Sequence, residues 1–137
     1  MQKPTESEQH VRAFYDALLP GHHRERVFGL QAAHVVYELP EGMPTGGGRF
    51  EGIQDVLERF LPSFYGALDA TFDAQEYIST GEHVVTLGRL RGKTREGAVP
   101  FDVPFVHVWT VQNHMLVRLR FFTDTAALTN ALRAARE

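Results

Sequence analysis

The sequence holds no cysteine, which excludes disulfides, thiol nucleophiles and zinc sites built on thiolates. It also lacks an excess of charge of either sign. Fourteen Lys and Arg stand against 17 Asp and Glu, a formal net charge of −3, so no strong field draws in nucleic acid or an anionic membrane. Long apolar runs are missing as well. No stretch approaches a membrane span, and the opening Met1-Gln2-Lys3-Pro4-Thr5-Glu6 lacks the apolar core of a signal peptide. A cytoplasmic protein is the expectation. No Gly-x-Ser-x-Gly supports a serine hydrolase. Gly46-Gly47-Gly48 lacks the Lys and the strand-to-helix setting of a phosphate loop. His22-His23 falls in a polar loop, and His10, His34, His83 and His114 show no ligand spacing. Neither a metal nor a cofactor is expected.

What is present is ordinary for one globular unit. The 137 residues are 43% hydrophobic and 23% charged, enough for a single domain over 1–137 with a core and one small-molecule pocket. From Thr5 to Leu19, Val11, Phe14, Tyr15, Leu18 and Leu19 recur at helical spacing. Thr5 with Glu8 makes a capping box, and Pro20-Gly21 stops the helix. A helical turn with Val27 and Leu30 inward precedes a strand over residues 34–39. An irregular Gly/Pro loop spans 41–49, and its Gly46-Gly47-Gly48 reads as a flexible lid over the cavity. A second helix carries Ile53, Val56, Leu57, Phe60 and Leu61 on one stripe before Pro62.

From Ala70 the period changes to alternation. Strands are predicted near 71–79, 83–94, 100–112 and 115–122, with tight turns at Thr80-Gly81-Glu82 and Gln112-Asn113-His114. A last helix begins near Thr125. The helices have one sheet to cover and pack on its inner face. The fold class is therefore α+β: a cone-shaped, curved antiparallel sheet wrapped around N-terminal helices, with a cavity where the cone opens.

Three stretches carry a family resemblance. Val36-Tyr37-Glu38-Leu39-Pro40 with Phe50-Glu51-Gly52-Ile53, Val103-Pro104-Phe105-Val106-His107-Val108-Trp109-Thr110, and Arg118-Leu119-Arg120-Phe121-Phe122-Thr123-Asp124-Thr125-Ala126 resemble successive passages of SnoaL-like polyketide cyclases. These belong to the nuclear transport factor 2-like, ketosteroid isomerase-like superfamily. The resemblance spans nearly the whole chain in the right order and implies the cone. It does not choose among isomerisation, aldol cyclisation, epoxide hydrolysis, dehydration and plain binding, all of which that pocket serves.

Alternation places Val85, Leu87, Arg89 and Arg91 on one face of their strand, and Phe105, His107 and Trp109 on one face of the next. Such faces would aim an imidazole and a guanidinium into one aromatic cavity. The resemblance puts Asp124 where epoxide hydrolases and cyclases of the superfamily carry an acid/base carboxylate. The candidate catalytic set is Asp124 as acid/base, His107 as its partner, and Arg89 and Tyr37 as orienting groups. Phe14, Phe60, Phe64, Phe105, Trp109 and Phe122 are the candidate pocket lining.

Each residue also has a plainer reading. Asp124 before Thr125 is a sound N-cap. His107 beside Trp109 suits a satisfied core histidine. Arg89, Arg91, Arg118 and Arg120 suit the charge of a solvated or dimer-forming face, and Tyr37 suits packing. The chain departs from two relatives. Phe14 stands where ketosteroid isomerases place a catalytic tyrosine, and His107 about where they place an acid. Arg89-Leu90-Arg91 lacks the Asp of the hydrolases' Arg-x-Asp. Two functions follow as expectations. One is a cofactor-free lyase, isomerase or cyclase acting on an apolar, polyketide- or terpenoid-like substrate. The other is a non-catalytic ligand-binding or protein-interaction module. A homodimer through the sheet face is expected in either case, from an outer face taken to carry Thr86, Leu90, Val106, Val108 and Thr110.

Overall fold

The structure, a computed structural model, describes residues 4–19, 21 and 25–137. The expectations for the first three residues, Pro20 and His22-His23 lie outside the described residues. Helix α1 (Glu6–Leu18) starts as its capping box predicts, with Thr5 Oγ1 accepting from the Glu8 amide at 3.1 Å. Glu8 does not reach back to complete the box. Its carboxylate accepts from Arg12 Nε at 2.8 Å and from Ser79 Oγ at 3.2 Å, tying the helix to the sheet. Val11, Phe14 and Tyr15 are buried, while Leu19 is exposed, so the apolar stripe ends one residue early.

A short helix α2 (Arg26–Gly29) buries Val27 and leads into strand β1 (Gln31–Leu39). The stretch expected to be wholly irregular contains a strand, β2 (Gly48–Glu51), paired antiparallel with β1. Its preceding turn folds on itself, with Met43 donating to the Pro40 carbonyl and Gly46 to the Met43 carbonyl, each at 3.0 Å. Met43 is buried. The second helical stretch does not stop at Pro62. It runs as α3 (Ile53–Asp55), a π turn (Val56–Phe60) and α4 (Leu61–Ala67). The Leu61 amide bonds the Val56 carbonyl across that turn, and Pro62, which has no amide hydrogen, falls in the first turn of α4, where a proline is tolerated.

Strands β3 (Leu68–Thr80), β4 (His83–Thr94), β5 (Pro100–Gln112) and β6 (Met115–Thr123) form an antiparallel meander. β1 joins it by parallel pairing with β6, giving a six-stranded, curved and unclosed sheet in the order β2-β1-β6-β5-β4-β3. The β5–β6 turn has Asn113 at φ 50° and His114 at φ 62°, the backbone of a tight hairpin. Curvature has a local cause in β4. A Cβ on Gly88 would lie 2.0 Å from the Asp73 carbonyl oxygen, and one on Gly92 2.0 Å from that of Asp69. Only glycine lets β3 close so tightly over this face, helped by a register shift between Ala74 and Glu76. Helix α5 (Thr125–Ala134) buries Leu128 and Ala131, and Leu128 joins the one continuous core.

Register corrects the sequence-based faces. Thr86 lies opposite His107, Val84 opposite Trp109 and Leu90 opposite Val103, all facing inward. Arg89 lies opposite Pro104 and Arg91 opposite Asp102, on the outer face. Thr86 and Leu90, expected outside, are completely buried.

Candidate functional site

Between the helices and the concave side of the sheet lies a cavity of about 160 Å³. Phe14 from α1, Phe60 from the π turn, Phe72 from β3 and Phe121 from β6 make much of its wall. Of its described lining residues only Phe28 and Thr71 are exposed, which places the mouth between α2 and the start of β3. Gly46-Gly47-Gly48 contributes no lining residue, so it is not the lid expected of it. Among the described residues no Asp, Glu, Lys or Arg lines the cavity.

His107 projects from the middle of β5 into this wall and is 2% exposed. Strand alternation puts it between Phe105 and Trp109 on the inner face. Its ring lies 4.6–4.9 Å, centre to centre, from those of Phe72, Phe105 and Phe121. Burial among these rings holds its pKa down at about 3, so the imidazole is neutral near pH 7.

Behind His107, away from the cavity, stands Tyr15. Trp109 Nε1 donates to Tyr15 Oη at 2.9 Å, and Tyr15 Oη is 2.6 Å from His107 Nδ1. Burial pushes the Tyr15 phenol well above its ordinary value, outweighing the Thr86 hydroxyl and Trp109 indole that would favour a phenolate. The phenol therefore keeps its proton. Its oxygen already accepts from the indole, and the neutral His107 Nδ1 stands within hydrogen-bond reach of its proton. With the phenol as donor of that bond, the imidazole's own hydrogen sits on Nε2.

Tyr37 lines the cavity from β1. Its hydroxyl donates to Gln31 Oε1 at 2.5 Å, and Gln31 Nε2 donates to the Val27 carbonyl at 3.1 Å. Burial raises the Tyr37 phenol too. This polar end is satisfied internally. By contrast, His107 Nε2 is buried without a hydrogen-bond partner.

The other candidates fall in three places. Phe14, Phe60, Tyr37 and His107 line the cavity; Phe64, Phe105 and Trp109 are buried in the core without lining it. Arg89 points outward, its Nε 2.9 Å from Asp102 Oδ1. Phe122 is 44% exposed on the outer face. Asp124 is exposed and caps α5, accepting from the Ala127 amide at 3.0 Å. The structure thus separates Asp124 and Arg89 from His107, and an acid/base pair of Asp124 with His107 is not formed. The other three arginines also belong to ion pairs across the outer face: Arg91 with Asp73 at 2.8 Å, Arg118 with Glu38 at 2.8 Å and Arg120 with Glu38 at 3.9 Å. Sequence reasoning passed over Tyr15, Gln31 and Phe72. Tyr15 read as one more core position, and only its helix-to-sheet meeting with His107 and Trp109 sets it apart.

Among the described residues no helix is long and apolar enough to cross a membrane. No curated protein matches the sequence significantly. Solved structures do resemble it. A nuclear transport factor 2-like protein of unknown function from Burkholderia pseudomallei is 27% identical, with a TM-score of 0.80 over 93% of this chain and 98% of that one. TerC, co-crystallised with polyporic acid, is 23% identical with a TM-score of 0.83, over 94% and 99% of the two chains. A putative SnoaL-like polyketide cyclase from Jannaschia sp. is 20% identical, with a TM-score of 0.79 over 98% and 97%. Residues 11–119 match the SnoaL-like domain, and the chain belongs to that family.

Proposed function

We propose that this protein holds a small apolar molecule in its cone and acts on it as a lyase, isomerase or cyclase, with His107 as the residue that meets the reacting group. One observation carries the reading: a buried, unpaired imidazole nitrogen on the wall of an otherwise aromatic cavity. Native interiors rarely leave such a group unsatisfied without a use for it. A neutral imidazole polarises a carbonyl by donating a hydrogen bond, which favours the more negative oxygen that develops as the carbonyl reacts. At a pKa of about 3 it is too weak a base to take a proton from carbon near pH 7. Its contribution is therefore electrophilic, in place of the acid/base role expected from sequence. The names of similar folds, a polyketide cyclase and an isomerase, agree with this class of chemistry.

A second reading has an observation of its own. With no carboxylate among the described lining residues, the cavity lacks an evident general base, which suits a binding module without turnover. The two are separated by incubating wild type and His107→Leu with a panel of enolisable apolar ketones and following product by mass spectrometry. Turnover by wild type that His107→Leu loses by roughly tenfold or more supports the enzyme. Turnover retained in full by the variant removes His107 from the chemistry. Saturable binding with no product from either protein supports the binding module.

A further inference from the structure

Resting on the reading of the cone as a ligand pocket, we infer that its ligand is an uncharged molecule of about one ring bearing a single hydrogen-bond acceptor, which His107 Nε2–H receives. The direction of this hydrogen bond follows from the Trp109–Tyr15–His107 chain. The indole can only donate, and we assign the phenol as donor to Nδ1 in its turn, which puts the imidazole hydrogen on Nε2. Nδ1 faces Tyr15, which is not a lining residue, and the two ring nitrogens point apart, so Nε2 lies on the ring edge away from Tyr15, buried on a residue of the cavity wall.

Water is a poor partner for it. A buried water needs two to four polar contacts, and the rings packed on His107 are those of Phe72, Phe105 and Phe121. Of the three buried side-chain atoms without a partner among the described residues, only His107 Nε2 belongs to a lining residue. The site therefore holds one donor without an acceptor.

Size and charge narrow the class. An apolar cavity of about 150 Å³ stays dry and admits a benzene-sized molecule, while drug-sized ligands occupy pockets of roughly 300–1,000 Å³. The 160 Å³ here suits one ring with a short substituent and not a fused four-ring compound. An anion would find no Lys or Arg, and a cation no carboxylate, among the described lining residues. A buried charge without a partner is strongly disfavoured.

The test uses four compounds: acetophenone, α-methylstyrene (the same shape with CH₂ in place of the carbonyl oxygen), benzoate and a four-ring ketone. Calorimetry should show acetophenone binding about five- to tenfold more tightly than α-methylstyrene, the worth of one neutral hydrogen bond. Benzoate and the four-ring ketone should not bind. In His107→Leu the acetophenone advantage should vanish while α-methylstyrene still binds. Nitrogen-15 spectra of wild type supply a measurement that no variant can spoil. The His107 hydrogen should lie on Nε2 without ligand and move downfield with acetophenone. A hydrogen on Nδ1, or equal affinity for the ketone and the alkene in wild type, overturns the acceptor. Binding of benzoate overturns the uncharged class, and binding of the four-ring ketone overturns the size limit. All three leave the pocket reading standing. If none of the four binds, the pocket reading itself falls and takes the ligand class with it.

Discussion

Tyr15 Oη stands 2.6 Å from His107 Nδ1, joining the first helix to the middle of the sheet through a buried hydrogen bond. The same oxygen accepts from Trp109, so removing it orphans two groups at once. Tyr15→Phe keeps the ring and deletes only that oxygen. Leaving buried polar groups unpaired costs on the order of 1–3 kcal/mol. The variant should therefore shift its urea midpoint downward by a corresponding amount with an unchanged slope. A midpoint equal to that of wild type would mean the three side chains do not act as a unit.

Stability should also carry the mark of the buried imidazole. His107 titrates near its ordinary value of 6.5 when unfolded and at about 3 when folded. Between those values the unfolded chain binds more protons. The stabilisation is complete above pH 6.5 and is lost progressively as pH falls toward 3. Burial is its only cause, with no charged neighbour contributing. The slope from this one residue approaches about 1.4 kcal/mol per pH unit. Denaturation of wild type and His107→Leu at pH 7, 6, 5 and 4 should show a shallower fall for the variant. Parallel curves would show that His107 is not held neutral.

Asp124 tests the opposite assignment. It is exposed and its carboxylate accepts from the Ala127 amide, as an N-cap does. Asp124→Ala should cost about 0.5–2 kcal/mol of stability and Asp124→Asn much less. Binding of a small ketone should be unchanged in both, since Asp124 does not line the cavity. A rate or affinity lost in Asp124→Asn with stability preserved would return this residue to the site.

How these assignments could be read from sequence varied with the distance involved. The meander was legible because alternation and turn residues are local signals: residues 83–94 and 100–112 are strands as expected. His107 on an inward face with Phe105 and Trp109 was legible for the same reason. Arg89 was not. Alternation tells which residues of one strand share a face, but the face itself depends on pairing register. Here odd residues of β4 oppose even residues of β5, as Arg89 opposes Pro104, so His107 and Arg89 diverge. A similar slip placed Phe122 in the pocket, whereas Phe121 is the inward residue of β6. β2 was hidden because a four-residue strand that begins on the last glycine of a run carries no period of its own.

That register also arranges the outer face, where a second copy of the chain is expected to dock. Leu87, Val106 and Phe122 lie side by side across β4, β5 and β6, with Val85 beside Val108 in a neighbouring row. Phe122 is 44% exposed, and the two valines of β5 are only partly buried. Ion pairs such as Arg89–Asp102 and Arg118–Glu38 flank this strip with both signs of charge, the pattern of an apolar centre with a polar rim that a two-fold axis can match to itself. Sedimentation velocity at tens of micromolar should give a dimer for wild type. Val106→Asp, which places a charge in the centre of the strip, should give a monomer of unchanged fold by circular dichroism. A wild-type monomer at that concentration would exclude the dimer. A Val106→Asp variant that remains dimeric would move the interface off this face.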